Sequence, residues 1–203
     1  MKKLFFILSL CLYGYWGQGQ LLRSKESKIT FFSEALLENI TATTTKAKAV
    51  VDLEHKELAV KINMTSFEFP NKLMQEHFNE NYLESDKYPQ ATFRGSLTKV
   101  LDWAKPFQTT ASVTGVLTIH GVSKMEIIEG KIINDPSRNM AIFECSFPIK
   151  VKDFNIHVPN LVFTKIAEVV TIKVYIKLEP VTTSTKEGDP KTKKASFISK
   201  ILS

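Results

Sequence analysis

Alternation with a period of two is the feature that most narrows what this chain can fold into. Leu58, Val60, Ile62 and Met64 interleave with Ala59, Lys61, Asn63 and Thr65. Ala91, Phe93, Gly95 and Leu97 do the same against Thr92, Arg94, Ser96 and Thr98, as do Val170, Ile172, Val174, Ile176 and Leu178 against Thr171, Lys173, Tyr175 and Lys177. Side chains on a strand point alternately to its two faces, so each run predicts a strand with one buried face. Further runs at 28–32, 40–45, 48–53, 112–119, 124–133 and 140–152 bring the total to eight or nine strands. Turn signals separate them at Glu54-His55-Lys56, Asn134-Asp135-Pro136-Ser137 and Pro159-Asn160. Regular antiparallel strands of this kind build a sandwich or a barrel.

One segment departs from the pattern. Between Pro70 and Pro89 the apolar residues Leu73, Met74, His77, Phe78 and Tyr82 follow helical spacing, with Asn71 placed to cap the start and Ser85-Asp86-Lys87-Tyr88-Pro89 to end it. A lone helix between strands buries its apolar stripe at an open end or flank, so it reads as a lid or plug.

The termini differ from this domain. Lys2 and Lys3 followed by the apolar stretch from Leu4 to Tyr13 have the form of a secretory leader, too short to span a bilayer. Small residues in Gly17-Gln18-Gly19 place cleavage before Gln20, giving a leader over 1–19, a domain over 20–180 and a tail over 181–203. The expected location is the periplasm or the exterior; lipidation at Cys11 is the rival processing, disfavoured by Leu10 just before it. After cleavage only Cys145 remains of two cysteines, so no internal disulfide is available, and its parity with Phe143 and Phe147 reads as a small buried apolar residue.

A formal charge of +6 would ordinarily suggest nucleic acid as a partner. Two of those charges leave with the leader, and the tail lysines 186, 191, 193, 194 and 200 outnumber Glu187 and Asp189. Within the domain the lysines alternate with apolar residues on solvated faces, and no basic surface with stacking aromatics emerges, so nucleic acid is excluded. The tail, with Phe197, Ile198, Ile201 and Leu202, reads either as a solvated terminus or as a weak membrane-surface contact.

Catalytic signatures are absent from the sequence. The four histidines His55, His77, His120 and His157 have no paired ligand spacing, and no phosphate loop, serine elbow or dinucleotide fingerprint occurs. No metal, cofactor or catalytic residue is expected; an enzyme would have to use His77, Glu80 and Tyr82 at the barrel mouth. An eight-stranded barrel is at the size where side chains either fill the lumen or leave room for one elongated ligand. Fourteen phenylalanines, two of them in the leader, supply either outcome: Phe31, Phe93, Phe143 and Phe147 have inward parity, and Phe67, Phe69 and Phe78 flank the helix.

Two segments carry a resemblance. The run from Phe67 to Phe93, through Pro70-Asn71-Lys72-Leu73-Met74, His77-Phe78 and Tyr88-Pro89-Gln90-Ala91-Thr92, resembles the hallmark segment of the YceI-like family of bacterial exported proteins. A second hallmark resembles Thr114-Gly115-Val116-Leu117-Thr118-Ile119-His120-Gly121-Val122-Ser123-Lys124. The resemblance covers roughly residues 27–178 and its helix is similar to that of Bacteroidetes-type members. It implies an all-β, antiparallel, eight-stranded lipocalin-like barrel with one inserted helix, which binds a long-chain amphiphilic lipid, polyisoprenoid or fatty-acid-like, without catalysis. By the same resemblance Met74, His77, Phe78 and Tyr82 line or gate the entrance, and Phe93, Leu117 and Ile119 face the tunnel. His120 is expected to face outward or to sit in the turn before Gly121, with Gly121 permitting the tight turn. The alternative function is a non-catalytic envelope interaction module with a filled barrel. Oligomeric state is left open, a homodimer among the options.

Overall fold

The computed structural model describes residues 21–34, 39–157 and 167–181. The leader, Cys11, the cleavage point before Gln20 and the basic tail lie outside the described residues. Nine strands run β1 Leu21–Ser33, β2 Ile40–Thr44, β3 Lys48–Asp52, β4 Glu57–Asn63, β5 Gln90–Leu97, β6 Phe107–Ile119, β7 Val122–Asp135, β8 Met140–Lys150 and β9 Val169–Pro180. All neighbours are antiparallel, and pairing of β1 with β9 closes the sheet on itself.

The circuit is eight-stranded because β2 and β3 share one edge of β1. Ile29 to Ser33 pair with β2, while Leu21 to Arg23 pair with β3. Between them the buried Ser27 hydroxyl lies 3.1 and 3.0 Å from the carbonyl oxygens of Thr45 and Ala47, covering backbone acceptors that have left the ladder. On the opposite wall Gly95 and Gly115 face each other in register, and a Cβ on Gly95 would lie 2.6 Å from the Thr114 carbonyl oxygen. Only glycine lets these two strands approach so closely, and the Phe93 ring stands 3.0 Å from where a Cβ on Gly95 would be.

Residues 64–89 form the insertion between β4 and β5. Its neck is tied by the Met64 amide donating to the Pro89 carbonyl at 2.9 Å, and its entry pairs with β2 through reciprocal Thr43 and Glu68 backbone bonds of 3.0 and 2.9 Å. The helix is shorter than its sequence spacing predicts: α1 spans Lys72–His77, capped by Asn71, whose side chain accepts from the Leu73 amide. From Phe78 to Tyr82 it widens into a π turn, closed by the Leu83 amide on the Phe78 carbonyl. Ser85 donates to Asn79 Oδ1 and Asn79 donates to the Gln75 carbonyl, so the insertion is stitched together internally.

Candidate functional site

The inward faces of the strands enclose a cavity of about 190 Å³ whose wall is almost wholly hydrocarbon. Inward phenylalanines therefore do not fill the lumen. Leu58, Val60 and Ile62 from β4, Val113, Leu117 and Ile119 from β6, and Val170 through Leu178 at alternate positions of β9 form the wall, as period two requires.

Each end is closed by a different device. At one end the insertion contributes Phe67, Phe78, Tyr82 and Leu83 to the cavity surface. Phe78 is the centre of an aromatic cluster, with ring centroids 5.9 Å from Phe31 and Phe67 and 4.9 Å from Phe69. Val151 and Ile156, from the turn after β8, complete that end. At the other end Trp103, on the loop between β5 and β6, reaches the cavity and stacks edge-on against Phe107.

The ten residues read from sequence as ligand-binding divide by position. Phe67, Phe78, Tyr82, Phe93, Leu117, Ile119 and Phe143 lie on the cavity wall. Phe69 and Met74 are half-buried and pack behind it. His77 must be corrected: it is exposed on the outer side of the insertion and lines nothing, because α1 ends there and the π turn rotates the next residues. Leu83, Trp103, Val151 and Ile156 also line the cavity, each outside the strands, where period two gives no signal, while Met64 closes the alternation that begins at Leu58. Cys145 faces the lumen, and burial pushes its thiol up to about 12, leaving it protonated and unreactive at neutral pH.

Of the two expectations for His120, the turn before Gly121 is where it lies, and it is not turned outward. His120 occupies the turn between β6 and β7 with a φ of 51° and is only 8% exposed. Its Nδ1 lies 3.1 Å from the Phe154 carbonyl oxygen and its Nε2 lies 2.9 Å from Glu84 Oε2, while Tyr88 packs edge-on to the ring at 4.4 Å. Gly121 follows with a φ of +73°, and a Cβ there would lie 2.7 Å from the Tyr88 ring. The two sequence hallmarks thus meet at one end of the lumen. A separate group, Asp52, Glu54 and His55, brings three potential metal-ligating atoms within 4.8 Å at the β3–β4 turn; there the Asp52 carboxylate accepts from the Glu54 and His55 amides and from the His55 ring.

Comparison with known proteins bears on this lumen. The model for the YceI-like domain matches residues 21–178. Protein YceI of Shigella flexneri and that of Escherichia coli O157:H7 are each 36% identical over 102 residues, 48% of this chain and 50% of theirs; the chain spans about half the length of the curated relatives it matches. Among solved structures, a polyisoprenoid-binding domain from Saccharophagus degradans implicated in plant cell wall breakdown superposes with a TM-score of 0.68 at 15% identity, covering 79% of this chain and 98% of that one. BcnA of Burkholderia cenocepacia gives 0.63 at 22%, covering 74% and 95%, and the Campylobacter jejuni YceI protein 0.53 at 20%, covering 73% and 89%. At these identities the superpositions establish the fold.

Proposed function

The chain belongs to the YceI-like family, and from that premise we propose that its lumen holds the apolar chain of an amphiphilic lipid, isoprenoid or fatty-acid-like, with the insertion controlling access. The observation that carries this is the cavity itself, its wall almost wholly hydrocarbon. Such a wall offers nothing to a charged or hydrogen-bonding group, so a ligand's polar head stays outside and only its tail enters. Burying about ten methylene-sized units at ~0.8 kcal/mol each gives about 8 kcal/mol before entropy losses. The polyisoprenoid-binding neighbour supports the ligand class.

Size adds a second element. An apolar cavity of about 150 Å³ takes up one benzene, so a lumen of about 190 Å³ receives a long chain only when one end yields. The insertion is the end that yields in this reading: its backbone meets the barrel at the neck and at one bridge to β2, and the rest of its hold is side-chain contact, from Ser66 to Thr44, Phe78 to Phe31 and Glu84 to His120. We read the leader as directing the protein to the periplasm or exterior, and the protein as a carrier without catalysis, since His77 is turned to solvent and the Cys145 thiol is held protonated.

Native mass spectrometry and organic extraction of protein made in its own host test the reading. The expected result is a co-purifying lipid, lost in a folded Phe93→Glu variant, whose carboxylate would enter the lumen. Protein that is reproducibly free of lipid and takes up no added isoprenoid or fatty acid would sink it and favour the interaction module.

A further inference from the structure

We propose that His120 and Glu84 form a proton-binding clasp, and that taking up one proton fastens the insertion over the lumen. This rests on the reading of the insertion as the gate to a lipid site. The argument is one of hydrogen-bond inventory. The Phe154 carbonyl can only accept, so the His120 Nδ1 that faces it at 3.1 Å bonds to it only when it carries a proton. A neutral imidazole has no second N–H, so Nε2 would then turn a lone pair toward Glu84 Oε2 at 2.9 Å. An ionised carboxylate has no proton to offer either. Both contacts are bonds only when one further proton lies between His120 and Glu84, whichever of the two carries it.

The groups packed around the ring come from the insertion and from the turn after β8. Tyr88, on the insertion, presents the edge-on ring contact, and Lys87 lies 4.9 Å over that ring. Lys87 is held in its charged form by its hydrogen bond to Tyr88 and, next, by the Glu84 carboxylate. On the turn after β8, Asp153 is already engaged with Lys124 of β7 at 3.3 Å. Glu84 is therefore the acidic group directly on the imidazole among the described residues.

The clasp joins three pieces of chain around one end of the cavity. Glu84 follows the cavity-lining Leu83, and Phe154 lies between the cavity-lining Val151 and Ile156. With the proton present, His120 bridges insertion, β6–β7 turn and post-β8 turn. Without it the neutral ring serves one acceptor at a time, so the joint is broken either at Glu84 or at Phe154 and the insertion is held less firmly. Closure is therefore favoured as pH falls and weakens as pH rises.

The test uses the full chain and N-phenyl-1-naphthylamine, an apolar fluorophore that stays neutral across the window, chased into phosphatidylcholine vesicles. Release from the wild type is expected to slow about tenfold between pH 8.5 and pH 5.5, the size of one charge-assisted hydrogen bond gained. Glu84→Gln is the decisive variant, because its amide N–H can donate to a neutral Nε2 and closure then needs no proton. Its release is expected to be independent of pH. A wild type that changes less than about twofold, or a Glu84→Gln protein that keeps the wild-type pH dependence, overturns the clasp. Hydrogen exchange at the Leu83, Ser85, Lys87 and Tyr88 amides, corrected for intrinsic pH effects, reads the clasp without any ligand. If the fluorophore binds at no pH, the lipid-site reading fails by itself, and exchange protection still decides the clasp: falling with rising pH in the wild type but not in Glu84→Gln upholds it, flat in both overturns it.

Discussion

The β6–β7 hairpin carries a clasp at each end, and the two are built from different chemistry. At one end Asn134, 7% exposed, places its amide nitrogen 3.0 Å from the Trp103 carbonyl and 2.8 Å from the Lys105 carbonyl, pinning the Trp103 loop under the barrel. At the other, roughly 40 Å away along the strands, His120 is equally buried and also faces two acceptors, the Phe154 carbonyl and Glu84. A carboxamide has two N–H groups and satisfies two acceptors at any pH; a neutral imidazole has one. One end is thus sealed unconditionally, while the other is sealed on a condition. The lumen between them becomes a blind tube with a single end suited to open.

The sharpest way to break this contrast is at the sealed end. Asn134→Leu leaves two carbonyls without their donor, and unfolding should become easier by about 2–4 kcal/mol, a fall in Tm of about 5–12 °C for a chain of this size. The loss should not depend on pH. Asn134→Asp should instead import pH dependence into this end, since an ionised carboxylate facing two carbonyl oxygens is repelled, and Tm should fall as pH rises through the carboxylate range. Thermal scans across pH check both variants.

At the conditional end effects should be smaller and more local. His120→Ala should cost about 2 kcal/mol, read chiefly as lost hydrogen-exchange protection in residues 83–88 while the Trp103 loop stays protected. Gly121→Ala should follow at about 1–2 kcal/mol, from a left-handed φ and the collision of its Cβ with the Tyr88 ring. Unchanged protection of the insertion in both variants would show that His120 holds nothing in place.

Much of this was legible in the sequence, and what was not has physical reasons. The wall of the lumen could be read because a strand with one buried face writes its burial every second residue, as β9 does from Val170 to Leu178. The opening half of β1 could not, because a bulge between Ser24 and Glu26 shifts the register and sets polar residues in succession. The ends of the tube were the least legible. Trp103 lies in a loop with no period, flanked by the surface pair Asp102 and Lys105. Glu84 and His120 are 36 residues apart, and both adopt left-handed backbone that local propensity does not assign to non-glycine residues. His77 reads as a gate residue through the family resemblance of its segment, which carries no information on which face of α1 meets solvent; in the structure it is exposed.

A second histidine–carboxylate pair sharpens the comparison by showing two such groups that do not need an extra proton to coexist. At the β3–β4 turn the buried Asp52 accepts from two backbone amides as well as from the exposed His55 ring. Burial pushes the Asp52 carboxyl up, but its hydrogen bonds to His55 and the turn amides outweigh this and hold it below the usual carboxylate range. The Asp52 side chain, by bonding and by charge, raises His55 above the usual imidazole value. The signs set the window: the Asp52 contribution is present above the ordinary value of 3.8 and is lost as pH falls through its lowered one, whereas the His55 contribution is present below the ordinary 6.5 and is lost as pH rises through its raised one. Neutral His55 can still donate through Nδ1 to Asp52, so this turn loses only a charge where the His120 clasp loses a bond. Asp52→Asn, which retains an oxygen for the amides, should therefore produce the smallest change of the series: a slight fall in Tm confined to the interval between those two limits. A wild-type-minus-variant difference that grows steadily toward alkaline pH would mean that proton coupling at this turn resembles that at His120.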